Sequence, residues 1–346
     1  MIPAERISPA ILALIATWRI PGLTVAICAP EFGLWSQGFG LADVENNVPA
    51  TDATIYRIAS ISKPITATAI VQLSERGRLD LDAPIQRYVP SFPEKPWPIT
   101  SRLLLAHLGG LRDFIGNEGH GTTRHPVGSV PMSAFLEGVK DDPLLHEPGT
   151  RFRYSTHGYN LLGAAIESVA GMGYLDYVQQ NIFAPAGITE IFAEDTLAIL
   201  PHRAHGYMGD DDGGIRNADF VDLSDHLPGG GFYATASAVA QFGASLLKGE
   251  LLGPVALAQM FTRQRTTSGQ DTRFGLGWFL MTRHGEIEAA HGGKHVGAST
   301  MLYLLAKSGI VVTVLTNLQG VSSPAMHRLT QRIADIIHAD FCHAAS

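Results

Sequence analysis

Ser60-Ile61-Ser62-Lys63 places a hydroxyl and an amine three residues apart, beside Pro64. Proline is best tolerated in the first turn of a helix, so a helix must start close to Ser60. On that helix Lys63 falls on the same face as Ser60, one turn away. A serine hydroxyl is a poor nucleophile until an adjacent base takes its proton. A lysine made neutral by burial can be that base, and the positive end of the helix dipole favours the alkoxide. Four residues alone specify little, since a capping serine and a solvated lysine give the same pattern. Ser62 is a rival on the same turn, although it has no lysine three residues later.

Two further segments carry suitable chemistry. Tyr154-Ser155-Thr156 follows Glu147-Pro148-Gly149 and precedes a helical pattern. His291-Gly292-Gly293 ends one strand pattern just before another begins near Thr300. The order S-x-x-K, then a Y-x-N-like triplet, then H-G-G resembles the class C β-lactamases, D-alanyl-D-alanine peptidases and related esterases. The flanking text agrees: Arg57-Ile58-Ala59 before Ser60, Leu79-Asp80-Leu81-Asp82, Gly229-Gly230-Gly231-Phe232 and Phe274-Gly275-Leu276-Gly277-Trp278. The resemblance covers about residues 8–340.

The resemblance implies that Ser60 is acylated and that Lys63 and Tyr154 share its proton. His291 stands where many relatives carry lysine, and would orient Tyr154 or bind a substrate carboxylate or carbonyl. The backbone N–H groups of Ser60 and Lys294 would form the oxyanion hole, with Gly292, Gly293 and Thr156 lining the substrate site. Thr156 replaces the asparagine usual in Y-x-N, and a hydroxyl cannot grip an amide carbonyl as an amide does. Gly109 stands where relatives often have serine. The implied activity is hydrolysis of small esters, amides or short peptides, with slow β-lactam turnover. A scaffold or filament-forming protein of the same fold, or an acyltransferase, is the alternative. The intact Ser60, Lys63, Tyr154 and His291 argue for the enzyme.

The elements that must position these residues are legible in outline. Residues 9–18 read as an amphipathic helix with Ile11, Leu12, Leu14, Ile15 and Trp18 on one face. Residues 22–29 read as a buried strand and 32–40 as its hairpin partner. Ile65, Ala69, Ile70 and Leu73 give the helix after Ser60 an apolar side. Residues 101–107, 132–139 and 159–170 have helical patterns, the last ending at Gly171. Four short strand patterns follow, at 277–282, 287–290, 300–305 and 310–315, and an amphipathic helix at 326–338 closes the chain. The expected fold is α+β. Residues 1–80 and 226–346 would form a sheet-containing subdomain, and residues 81–225 a mostly helical one.

Bulk properties narrow the function classes. The chain has 346 residues, 45% hydrophobic and 16% charged, which is enough for a large core. A net charge of -7 argues against nucleic acid as the main partner. Cys28 and Cys342 are the only cysteines and read as two unpaired thiols. His202 and His205 lack a third ligand, and Asp210-Asp211-Asp212 lacks the spacing of a calcium loop, so it reads as the tip of a small hairpin. His157, three residues after Tyr154, would either line the cleft or cap a neighbouring carbonyl. No metal or cofactor is expected. No apolar run spans a bilayer and no cleavable leader is evident, which gives a cytoplasmic expectation. The expected partner is a small molecule or short peptide, with oligomerisation open.

Overall fold

The computed structural model describes residues 2, 4–115, 118, 127–128 and 130–344, with side chains described as far as residue 340. The side chain of Cys342 lies outside the described residues. Helix α1 (Ala4–Trp18) leads into strands β1 (Gly22–Ala29), β2 (Gly33–Asp43), β3 (Val48–Pro49) and β4 (Ile55–Arg57), and then helix α2 (Ser62–Glu75). The middle of the chain holds α3 (Ser101–Leu105), α4 (Thr156–Ala170), α5 (Tyr174–Val178), β5 (Ile191–Ala193), β6 (Tyr207–Gly209) and β7 (Ile215–Asn217). After β8 (Phe232–Thr235), α6 (Ala236–Leu247) and α7 (Pro254–Met260), the chain returns to strand. These are β9 (Phe279–Arg283), β10 (Glu286–His295), β11 (Ala298–Leu305) and β12 (Ile310–Thr316), followed by α8 (Ser323–Ala344).

Both chain ends build one seven-stranded sheet in the order β3-β2-β1-β12-β11-β10-β9, with β1 antiparallel to β12 through Val25↔Val314. The α+β expectation therefore holds. Strands β11 and β12 are buried along their whole length and β1 nearly so. Such continuous apolar runs belong to strands covered on both faces. On one face α1 and α8 pack over Val25, Ile27, Tyr303 and Val312. On the other, a larger cluster joins Ala26, Leu302 and Val311 to α2, α4 and α6. That cluster runs continuously from the sheet into residues 81–225.

Several local readings change. Leu12 is exposed, because α1 buries Ile7, Ala10, Ile11 and Leu14, and at about 100° per residue Leu12 points to nearly the opposite side of the helix. Helix α2 has no solvent side: every residue from Ser62 to Leu73 is buried. Its polar residues find buried partners, Thr68 donating to the Pro64 carbonyl one turn back and Thr66 to the distant Pro228 carbonyl. The pattern at 132–139 forms only a 3₁₀ turn over Met132–Leu136. The three-stranded sheet β4-β8-β5 is unanticipated, since its strands are only three or four residues long. Helix α4 ends as read, with Gly171 left-handed at φ 71°. The aspartates 210–212 do tip a hairpin, between β6 and β7. No helix among the described residues is long and apolar enough to cross a membrane.

Candidate active site

Ser60 lies on a 3₁₀ turn, Ala59–Ile61, that runs directly into α2. The turn is stitched down on both sides. The Ile58 N–H donates to the Phe232 carbonyl on β8, and the Thr300 hydroxyl on β11 donates to the Ile58 carbonyl. Ala59 is held left-handed at φ 49°. A non-glycine residue rarely adopts that conformation, and it survives only where the surroundings impose it. The rival hydroxyl is closed off from substrate: Ser62 is fully buried and its Oγ donates to the Ala59 carbonyl.

Lys63 has 0% exposure. Its Nζ sits 3.1 Å from Ser60 Oγ, 3.3 Å from Thr156 Oγ1 and 2.6 Å from the Gly229 carbonyl oxygen. It also lies 4.8 Å from the centre of the Tyr154 ring. Burial disfavours the ammonium and lowers its pKa to about 7, while Asp113 pulls the other way.

Tyr154 lies in the extended segment before α4, whose N-cap is Ser155, accepting from the Gly158 N–H. His107 holds this segment from both sides. Its carbonyl accepts from the Arg153 N–H, and its Nδ1 accepts from the Ser155 N–H. The imidazole packs against the Tyr154 ring, tilted by 31°, with ring centres 4.1 Å apart. Burial raises the Tyr154 pKa well above that of an ordinary phenol, and the Ser60 hydroxyl pulls it back in part. The phenol is therefore protonated at neutral pH.

His291, Gly292 and Gly293 do not end a strand, as the sequence pattern suggests. They lie inside β10, which stays paired with β11 from His291↔Leu302 to His295↔Ala298. Pairing with β9 stops at Ala290↔Phe279, so beyond that point β10 has a sheet partner on one side only. A Cβ on Gly293 would lie 2.3 Å from the Ile58 carbonyl oxygen and 3.2 Å from Ala59 Cβ. Glycine is what lets β10 lie against the Ser60 turn.

A cavity of about 640 Å³ opens over these groups. Ser60, Tyr154, His291, Gly292, Gly293 and Lys294 all line it, together with the apolar Phe279, Met281 and Met301. Lys294 and Arg273 are exposed along this lining. Thr156 does not line the cavity; its hydroxyl faces Lys63 and its N–H donates to Asp113 Oδ1 at 2.8 Å. A Cβ on Gly109 would lie 2.7 Å from Leu104 Cδ2, so a serine there would displace that side chain. His157 packs against Phe114 at a tilt of 50° with both ring nitrogens unpartnered, outside the cavity lining. Among the described residues no cluster of His, Cys, Asp or Glu could hold a metal ion.

A family model described as Beta-lactamase matches residues 10–335. The chain belongs to the β-lactamase family. It is 29% identical to the human (Homo sapiens) serine beta-lactamase-like protein LACTB, mitochondrial, over 405 aligned residues covering 87% of this chain and 74% of that protein. It is 28% identical to penicillin-binding protein 4* of Bacillus subtilis (strain 168), over 80% of this chain and 64% of that one. Among solved structures, the octameric penicillin-binding protein homologue from Pyrococcus abyssi matches with a TM-score of 0.82 at 25% identity, over 97% of this chain and 78% of that one. The resemblance read from the sequence therefore holds for family and fold, and the β-lactamase family is of serine hydrolase and acyl-transfer type.

Three parts of the site escape sequence reasoning: His107, Asp113 and the Gly229 carbonyl. Asp113 gives no signal in sequence. His107 precedes the Gly109 position of the family pattern, and Gly229 opens a glycine run, so both stand beside recognisable text. Neither contact could be derived without the fold.

Proposed function

We propose that this β-lactamase family member is a serine hydrolase acting through a Ser60 acyl-enzyme on small esters, amides or short peptides. The observation that carries this is Lys63 Nζ, fully buried and 3.1 Å from Ser60 Oγ. Burial lowers the Lys63 pKa to about 7, so the neutral amine is populated at neutral pH. Tyr154 is a protonated phenol at that pH, so Lys63 rather than Tyr154 takes the Ser60 proton during attack.

The steps balance. As Ser60 Oγ bonds to the carbonyl carbon, its proton passes to Lys63. The carbonyl oxygen becomes an oxyanion that the backbone N–H groups of Ser60 and Lys294 are proposed to hold. Tyr154 then gives its proton to the departing alcohol or amine and regains one from Lys63. Water attacks the acyl-enzyme by the same route in reverse and releases the acid. Losing one oxyanion donor typically costs about 3–4 kcal/mol of barrier. The apolar walls of Phe279, Met281 and Met301 support an apolar group on the substrate. Thr156 faces Lys63 instead of the cavity, which supports only slow β-lactam turnover.

Intact-protein mass spectrometry after exposure to an activated ester and to a penicillin tests the reading. Ester turnover is followed beside Ser60→Ala, with and without added amine or alcohol. An adduct and turnover that both vanish in Ser60→Ala are expected. Acyl products on the added nucleophile would make the protein a transferase. Turnover that survives Ser60→Ala would end the proposal.

A further inference from the structure

His291 is 1% exposed and lines the same cavity as Ser60 and Tyr154. Its Nδ1 lies 2.9 Å from the Gly292 carbonyl oxygen. A carbonyl oxygen only accepts, so Nδ1 carries the proton and donates it. In a neutral imidazole the lone pair then belongs to Nε2, and Nε2 is buried with no hydrogen-bond partner. A collar of aromatic rings explains why the imidazole stays neutral. Tyr154, Phe274 and Phe279 lie 6.4, 6.2 and 6.1 Å from it, centre to centre. Burial among them, with Lys63 nearby, lowers the His291 pKa to about 3.

Resting on the Ser60 acyl-enzyme reading, we propose that His291 is a specificity-determining residue whose Nε2 accepts a hydrogen bond from an uncharged N–H of the substrate. The site thereby selects acyl compounds bearing a primary carboxamide over the matching carboxylates. A buried acceptor left unmet is costly, and sites built around one discriminate strongly against analogues that lack the donor. A carboxylate in the same place would meet a lone pair. Protonating the imidazole to meet it is opposed by the burial that holds the His291 pKa well below that of a free imidazole. Arg273 and Lys294 do not offset this, because both are exposed and solvent screens their pull.

Two sets of three near-isosteric esters test the proposal. In one set the leaving group varies: phenylacetate esters of 3-hydroxybenzamide, 3-hydroxyacetophenone and 3-hydroxybenzoate. In the other the acyl group varies: p-nitrophenyl esters of 4-carbamoyl-, 4-acetyl- and 4-carboxyphenylacetic acid. In at least one set kcat/KM for the carboxamide should exceed that for the methyl ketone by about tenfold to a hundredfold, with the carboxylate slowest. His291→Phe should bring the first ratio close to one, and His291→Lys should shift preference toward the carboxylate. Wild-type ratios within about twofold in both sets, a carboxylate turned over fastest, or a carboxamide preference that persists in His291→Phe would overturn the assignment. The wild-type ratios decide even if a variant fails to fold. Turnover of all six esters in Ser60→Ala would bring down the parent reading instead. Ser60-dependent turnover without the preference would remove this inference alone.

Discussion

Lys63 Nζ lies closer to the Gly229 carbonyl oxygen, at 2.6 Å, than to Ser60 Oγ, at 3.1 Å. A carbonyl can only accept, so this contact holds whether Lys63 is an ammonium or a neutral amine. Gly229 therefore fixes one N–H direction and leaves the rest of the nitrogen to face Ser60. The consequence is a base aligned on its nucleophile before substrate arrives.

Below its pKa Lys63 is an ammonium and cannot accept the Ser60 proton. With that pKa lowered by burial to about 7, kcat/KM for an ester should fall about tenfold per pH unit below 7 and level off above it. An unburied lysine would move the bend to about pH 10, with activity falling all the way down from there. Lys63→Arg, charged at every working pH, should lose about 10²- to 10⁴-fold in activity along with the limb. A flat wild-type profile between pH 5 and 8 would contradict the assignment of Lys63 as the base.

Asp113 supplies a second test of the same electrostatics. Its negative charge favours the Lys63 ammonium and so raises the Lys63 pKa against the larger effect of burial. Asp113→Asn removes the charge but keeps an oxygen that can accept from the Thr156 N–H. The acid limb should therefore move to lower pH, and activity at pH 6 should rise relative to its plateau. A limb that moves up, or does not move, would show that Asp113 does not act on Lys63 through charge.

Much of this site was legible from residue order, because Ser60 and Lys63 are fixed to each other by one helical turn and need no tertiary fold to meet. Tyr154 and His291 were recognisable only through family pattern, since the separations from Ser60 carry no geometric information. The buried strands showed themselves as continuous apolar runs. Leu12 misled because it adjoins the buried face of α1 in sequence while pointing away from it. The sequence pattern ends this strand at Ala290, but β10 runs on from His291 through Gly292 and Gly293. Their smallness serves a close approach between β10 and the Ser60 turn, and packing of that kind has no local signature.

That close approach yields a paired prediction. A methyl on Gly293 would meet Thr300 Oγ1 at 2.2 Å and the Ile58 carbonyl oxygen at 2.3 Å, both of them parts of the stitching around Ser60. A methyl on Gly292 would meet only the flexible end of Met301, at 3.2 Å, and the Thr300 carbonyl oxygen at 3.6 Å. Gly293→Ala should lose about 1–3 kcal/mol of stability by denaturant unfolding, with a drop in Ser60 acylation rate greater than the lost stability explains. Gly292→Ala should cost less on both counts. Equal effects from the two substitutions would mean that β10 does not brace the nucleophile.

Behind the Ser60 turn the fully buried Glu194 pairs with Arg57, whose side chain is 13% exposed. Arg57, at the end of β4, donates to both carboxylate oxygens of Glu194, to the Tyr233 hydroxyl and to the carbonyl of Val296, just past β10. One guanidinium thus ties the strand that leads into Ser60 to the strand that carries His291. Burial alone would raise the Glu194 pKa further than it stands, and Arg57 holds it down. Removing one member of such a pair leaves an uncompensated buried charge and typically costs about 3–5 kcal/mol. Glu194→Ala should therefore destabilise the fold by roughly that amount in urea unfolding. Because the stranded Arg57 still reaches the Val296 carbonyl, the residual folded protein should keep a measurable Ser60 acylation rate. Arg57→Ala breaks the link itself and should lower acylation further for a similar loss of stability. If the two variants acylate at the same rate at matched folded fraction, the Arg57 bridge stabilises the fold without aligning the site.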